Sequence, residues 1–196
     1  MESGHIRVLI VEDDDDFAYL IRNQLSQQTD LEVVGRAHDR RSALSLAQSL
    51  TPQVVLMDLS LSGAQMDGVE AARDIRIATG AKVVILTVYE DPKVVLEASC
   101  RAFASGYVFK SQFALIPETV RTTARGTTPQ ECMILSLILD RLSPAERAVL
   151  DYILGRKPEP VSSPKTMANQ KTSILRKLGL HSQRELLQVF RSLPVL

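Results

Sequence analysis

Apolar runs and polar breaks alternate regularly along the first two thirds of this chain. Ile6-Arg7-Val8-Leu9-Ile10-Val11 is short and rich in branched aliphatics, which predicts a strand. Phe17, Leu20, Ile21 and Leu25 then recur at helical spacing. A short strand around Glu32-Val33-Val34 follows, and Asp39 precedes a helix with Ala43, Leu46, Ala47 and Leu50 on its apolar stripe. Pro52 interrupts before Val54-Val55-Leu56-Met57, a run too short for a helix and apolar enough to be buried on both faces of a parallel sheet. Gly68 opens a helix carrying Val69, Ala72 and Ile75, and Lys82 to Thr87 reads as the next buried strand. Asp91-Pro92 marks a helix start, Gly106-Tyr107-Val108-Phe109 a fifth strand, and Pro117 the first turn of another helix. Five alternations of strand and helix predict an α/β fold, a doubly wound five-stranded parallel sheet with right-handed crossovers.

The rhythm changes after Gly126-Thr127-Thr128-Pro129, which has turn chemistry. Met133 to Leu142 is an apolar stretch suited to a linker helix. Ser143-Pro144-Ala145-Glu146 is a capping box opening a helix with Val149, Leu150, Ile153 and Leu154 on one face, ending near Gly155. Pro158, Pro160 and Pro164 exclude an ordinary helix over residues 156–164. Ser163-Pro164 starts the next helix, with Met167, Ile174, Leu175 and Leu178 inward and Gly179 at its end. A second capping box, Ser182-Gln183-Arg184-Glu185, precedes a last helix with Leu186, Leu187 and Phe190. The expected division is residues 1–126 as the α/β domain, 127–141 as a linker helix and 142–196 as a second, smaller all-α domain.

Composition adds less. The chain has 196 residues, 45% of them hydrophobic and 23% charged, an ordinary balance for one large or two small domains. No apolar run approaches a membrane span, and the first seven residues lack a signal-peptide pattern, so the expected location is cytoplasmic. The two cysteines, Cys100 and Cys132, are far apart and fit reduced thiols. A formal charge of zero conceals an asymmetry. Residues 1–126 carry 13 basic against 17 acidic side chains, residues 127–196 carry 10 against 6, and the basic half is the one suited to nucleic acid.

Chemistry concentrates at the strand ends. The first strand ends in Glu12-Asp13, the third in Asp58, the fourth in Thr87 and the fifth in Lys110. The macrodipole accounts for Asp14 to Asp16 in a first helical turn, but not for Glu12 and Asp13 at the strand end itself. Each group alone has a bland reading as a cap, a strand residue or a surface lysine. Carboxyl ends of parallel strands, however, share one edge, where open α/β sheets bind ligands. Three carboxylates gathered there repel one another unless a cation intervenes, and a hard divalent ion such as Mg²⁺ suits oxygen ligands. A metal, a lysine and a hydroxyl are the parts phosphoryl transfer needs.

VLIVEDD at 8–14, VVLMDLSL at 54–61, MDGVEAA at 66–72, VVILT at 83–87 and GYVFKS at 106–111 together resemble a CheY-like receiver domain of a two-component response regulator. The resemblance implies that Asp58 is the phosphoacceptor, served by a sensor histidine kinase or phosphotransfer protein. It implies Mg²⁺ held by Glu12, Asp13, Asp58 and the backbone carbonyl of Ser60. Thr87 and Lys110 would bind phosphoryl oxygens, and Tyr107 falls at the aromatic switch position. The chain departs from the pattern in three places. The loop from Asp58 to Gly68 is about two residues longer than the family's usual form, with Ser62 near where a proline is common. Val88 stands where a small residue is usual, and Tyr89 occupies a position where members tune dephosphorylation. A haloacid-dehalogenase-like phosphotransferase wants a second acid two residues after the nucleophile, and Ser60 stands there instead.

LSPAERAVLDYILGRK at 142–157 and KTMANQKTSILRKLGLHSQREL at 165–186 resemble a LuxR-type helix-turn-helix. The resemblance implies a recognition helix in the second segment, with Lys165, Thr166, Asn169, Lys171, Thr172 and Arg176 as DNA candidates and Lys177 as a further basic one. A solvated helix face would carry the same lysines. Between Gly155 and Lys165 the chain is roughly five residues short and proline-broken, where the family has its supporting helix. The expected function is therefore a phosphorelay response regulator acting on transcription, dimeric on phosphorylation and not an enzyme beyond slow self-dephosphorylation. The alternative is a receiver with a degenerate output signalling through protein contacts.

Overall fold

The computed structural model describes residues 4–61 and 66–190. The loop residue Ser62 lies outside them. Five parallel strands form one sheet in the order β2-β1-β3-β4-β5. They are β1 (Ile6–Val11), β2 (Leu31–Ala37), β3 (Val54–Asp58), β4 (Lys82–Thr87) and β5 (Gly106–Phe109). Every residue of β3 is buried, as its unbroken apolar run demands for a strand covered on both faces.

Helices α1 (Asp15–Ser26) and α5 (Ile116–Arg125) belong with one face, where Ile21, Leu25, Ile116 and Val120 meet Val8, Ile10, Val54 and Leu56. Helices α2 (Arg40–Leu50), α3 (Asp67–Thr79) and α4 (Pro92–Ala102) belong with the other, where Ala43, Ala47, Val69 and Ile75 meet Leu9, Val55 and Met57. Short polar residues start the helices as their types predict. Asp14 accepts from the amides of Asp16 and Phe17, Asp39 from Ser42, and Asp91 from Lys93.

Boundaries shift in three places. β2 continues past Val34 to Ala37, through Gly35, where a Cβ would meet Leu50 Cδ1 at 2.7 Å. The sequence signal stopped at a glycine that is there for close packing of α2. The helix expected at Pro117 begins at Ile116, after a 3-10 turn over Lys110–Leu115. The apolar stretch expected as a linker from Met133 is a helix, α6 (Pro129–Leu139), that starts one turn earlier, because Thr128 caps it by accepting from Glu131 N.

Three more helices follow, α7 (Pro144–Ile153), α8 (Pro164–Leu178) and α9 (Gln183–Phe190). The capping box of Ser143 and Glu146 closes as read. Residues 154–163 contain no helix, in keeping with their prolines. These helices bury Leu135, Ile138, Val149, Ile174, Leu186, Val189 and Phe190 in the same apolar cluster as the α2–α3–α4 face. Phe190 meets Phe103 edge-on at 6.1 Å between centroids. The second helical layer is thus docked on α3 and α4.

Candidate functional site

β1 and β3 are neighbours, yet the chain leaves β1 toward β2 on one side and returns to β3 on the other. A doubly wound sheet opens a crevice at such a reversal, at the carboxyl strand ends. Glu12 and Asp13 follow β1 there and Asp58 ends β3. Carboxylate oxygens of all three lie within 4.8 Å of one another. Lys110, just past β5, reaches in with Nζ 2.7 Å from Glu12 Oε2 and 3.0 Å from Asp58 Oδ2. Its ammonium also sits 4.6 Å from the centroid of the Phe17 ring, a cation–π contact.

Glu12 is fully buried, and that burial, reinforced by the charge of Asp58, pushes its carboxyl up to about 7 against the pull of the Lys110 hydrogen bond. Burial opposes the charge on Lys110, but the Glu12 hydrogen bond and the charges of Asp58 and Glu12 outweigh it and raise its pKa. Glu12 Oε2 touches the lysine without a directed hydrogen bond and is an unsatisfied buried oxygen. Crowded carboxylates with one such orphan oxygen fit a hard divalent cation, and Mg²⁺ prefers oxygen donors of this type.

Two backbone features hold Asp58 in place. Ser60 N donates to Asp58 Oδ1 at 3.3 Å. A Cβ on Gly68 would come within 1.8 Å of the Asp58 carbonyl oxygen, so only glycine lets α3 start this close to the site. Thr87 is fully buried, and its hydroxyl accepts from Tyr89 N at 3.0 Å. The Tyr89 hydroxyl in turn lies 3.5 Å from Ser60 Oγ, while Val88 is 67% exposed. Tyr107 is half-buried, its ring 5.8 Å from that of Phe109.

Several participants carry no sequence signal. Gln130 of α6 accepts from Tyr107 N at 3.1 Å and donates to its carbonyl at 3.5 Å, so one side-chain amide covers the open edge of β5 at Tyr107. Arg36 donates to the Glu12 carbonyl at 3.1 Å and pairs with Asp15 at 2.7 Å. In α3, Arg76 is buried between Glu131 of α6 at 2.9 Å and the Val189 carbonyl of α9 at 3.3 Å. Arg73 donates to the Leu178 and Gly179 carbonyls at the end of α8, each at 2.8 Å, and to Arg101 O at 2.9 Å. An arginine in a helix reads as solvated, and nothing local distinguishes one that reaches across an interface.

On α8, Lys165, Thr166, Asn169, Thr172 and Arg176 are all exposed, and the last four recur three or four residues apart along one face. Lys171 is half-buried, 3.5 Å from Gln183. Thr166 and Thr172 already hydrogen-bond Ser163 Oγ and Ala168 O. Lys177 does not join that face, because Glu146 Oε2 holds it at 2.6 Å.

A five-stranded parallel sheet with an acid–lysine cluster at its switch point defines the class of CheY-like α/β proteins. Residues 8–120 match the model of the response regulator receiver domain, and the chain belongs to that family. It is 36% identical over 142 residues to the transcriptional regulatory protein LiaR of Bacillus subtilis, covering 70% of this chain and 64% of the relative, less than two thirds of that protein's length. It is 35% identical over 154 residues to the response regulator VraR of Staphylococcus aureus, covering 78% of this chain and 71% of the relative. Among solved structures, the response regulator RcsB in complex with DNA superposes with a TM-score of 0.57 at 26% identity, covering 97% of this chain and all of that one. Among the described residues, no helix is long and apolar enough to cross a membrane.

Proposed function

We propose that this chain is a phosphorylated switch on which Asp58 accepts a phosphoryl group from a histidine kinase or phosphotransfer protein, and that its output is transcriptional. The observation that carries the reading is the position of Asp58. Its carboxylate is nearly buried at the end of β3, 3.0 Å from Lys110 Nζ and beside Glu12 and Asp13.

The Asp58 carboxylate oxygen attacks the donor phosphorus, and the P–N bond to the donor's imidazole breaks with its electron pair returning to nitrogen. Phosphoryl transfer asks mainly for positioning and charge stabilisation. Lys110 neutralises equatorial oxygen charge, and the Thr87 hydroxyl, which accepts from Tyr89 N, keeps its own proton to donate to one of those oxygens. Glu12, Asp13, Asp58 and the Ser60 carbonyl are the groups that would hold Mg²⁺, which when bound supplies countercharge for the carboxylates and the incoming phosphoryl group. Hydrolysis of the acyl phosphate, with water taking up the phosphoryl group, regenerates the Asp58 carboxylate. Tyr107, with its backbone held by Gln130 of α6, connects the site to the helical layer.

LiaR is named a transcriptional regulator and RcsB was solved on DNA, and both support DNA as the partner of the exposed α8 face. The division into a receiver over residues 1–126, a linker helix and an output unit from 142 fits the cap at Thr128 and the capping box at Ser143. Dimerisation on phosphorylation would give α8 two half-sites. A specific observation also favours signalling through protein contacts, since no helix lies in residues 154–163 to support α8.

Incubation with a small phosphodonor and Mg²⁺ should add one acid-labile phosphate, and Asp58→Asn should add none. Phosphate retained on that variant overturns the assignment. Selection of genomic DNA fragments at low salt, with phosphorylated and unphosphorylated protein, tests the output. Enrichment by the phosphorylated form supports the DNA reading, and none from a folded, phosphorylated sample shifts it to protein contacts.

A further inference from the structure

α7 and α8 pack against each other through Leu150 and Ile174, and among the described residues no helix covers the other side of their junction. A groove of about 890 Å³ opens there, walled by Ile153 of α7 and Met167 of α8 and flanked by Pro158 and Pro160. It coincides with the segment 154–163, where the helix-turn-helix pattern leads one to expect a helix and the chain supplies a proline-rich loop. A helix packs against two others at about 8–10 Å between axes, so the vacancy between two helices has the shape of a third. Its chemistry is selective as well. Lys157 and Lys171 are among the described residues lining it, and no acidic residue is.

We propose that this groove receives an acidic amphipathic helix from a partner protein. Apolar side chains of that helix at spacings of three and four would fill the floor, and its flanking carboxylates would face Lys157 and Lys171. A second copy of this chain fits less well. The apolar face that α6 exposes, Met133 and Leu137, has beside it the acid Asp140, and that carboxylate is already paired with Arg147 at 2.7 Å rather than offered to the two lysines. The docked helix would restore the support that α8 lacks, so occupancy and the setting of the exposed α8 face would be linked. The inference deepens the protein-contact reading of the output and is independent of the chemistry at Asp58.

The trial uses the full chain and a displayed library of helical peptides about fifteen residues long, enough to hold a few turns. Selected peptides are then measured by fluorescence anisotropy. The expected winners carry an apolar stripe flanked by Glu or Asp and bind more weakly as salt rises, because two exposed-rim charges are screened. Ala168→Glu places a charge on an exposed helical position of the groove and should weaken binding by about tenfold or more. Lys157→Glu should weaken it less and reverse the preference toward basic peptides, and circular dichroism should show both variants folded. Winners without acids, or binding indifferent to both substitutions, overturns the proposal. So does sedimentation showing a dimer that Ala168→Glu converts to monomer, since the occupant is then a second copy. Phosphate uptake by the same variants should equal that of the parent, which separates a failed groove from a failed receiver.

Discussion

Two buried glutamates, Glu12 and Glu131, meet lysine and arginine in opposite ways. Glu131 is outnumbered by cations. Arg76 lies at 2.9 Å, Lys82 at 2.6 Å, and Ser105 donates at 3.1 Å, so both of its oxygens are satisfied. Glu12 shares a single lysine with Asp58, has Asp13 nearby, and keeps an oxygen without a directed hydrogen bond. Equal burial therefore means different things. A carboxylate with surplus cations is a joint, here fastening α6 and α9 to α3. A carboxylate in surplus over its cations repels its neighbours, and its cost is borne because the fold around it fixes the strand ends.

The sharpest way to break that contrast is to remove one member of the joint. Glu131→Gln leaves the buried Arg76 guanidinium without its counter-charge and should lower the unfolding free energy by about 3–5 kcal/mol. Urea titration reads it directly. Arg76→Met combined with Glu131→Leu should recover most of the loss, and failure to recover would mean the charges themselves were needed. The next effect is smaller. Glu146, in the capping box, also holds Lys177 and Ser173, and Glu146→Gln should cost about 1–2 kcal/mol.

The same carboxyl supplies a pH test. The Lys177 hydrogen bond leads in holding its pKa down to about 2, below the usual 4.5. A depressed carboxyl stabilises the fold above its unfolded value, and that contribution drains away as pH falls from about 4.5 through about 2. Denaturation followed across this acid range should show a steeper loss in the parent than in Glu146→Gln. Parallel curves would show that this carboxylate is not what the acid transition titrates.

Asp58→Asn should do the reverse of Glu131→Gln. It removes like charge from the site, and stability should stay the same or rise by up to about 1 kcal/mol. A fall as large as that from Glu131→Gln would erase the distinction between joint and site. The smallest effects concern the neighbouring acids. Asp13→Asn should weaken Mg²⁺ binding by roughly tenfold, while Asp16→Asn, in the first turn of α1, should change it by less than about twofold. Calorimetric titration separates the two, and equal losses would indicate a diffuse field rather than a ligand set.

Much of this was legible in the chain. Strands and helices announced themselves by period, since a run such as Val54 to Met57 has to be buried on both faces and a stripe such as Phe17 to Leu25 on one. Caps at Asp39, Asp91 and Ser143 were visible because capping is a contact between residues two or three apart, whereas Asp14, read as part of the first helical turn, is the cap of α1. The candidate site was legible for a similar reason. Parallel strands share an edge, so Glu12, Asp13, Asp58, Thr87 and Lys110 were brought to one place by strand order alone, and the structure gathers the three acids and the lysine there.

Tertiary structure alone decided the rest. Arg73, Arg76, Gln130 and Glu131 lie on helices whose local sequence gives long polar side chains to solvent. Their partners stand 23 to 113 positions away, at Tyr107, Gly179 and Val189 among others. Hydrophobic period records which face of a helix is buried, but it cannot record which other element buries it. That choice depends on the shape of two completed surfaces. It is why the sequence specified a receiver and a helical output separately, while the clamp that joins them emerged only once α3, α6 and α9 were packed together.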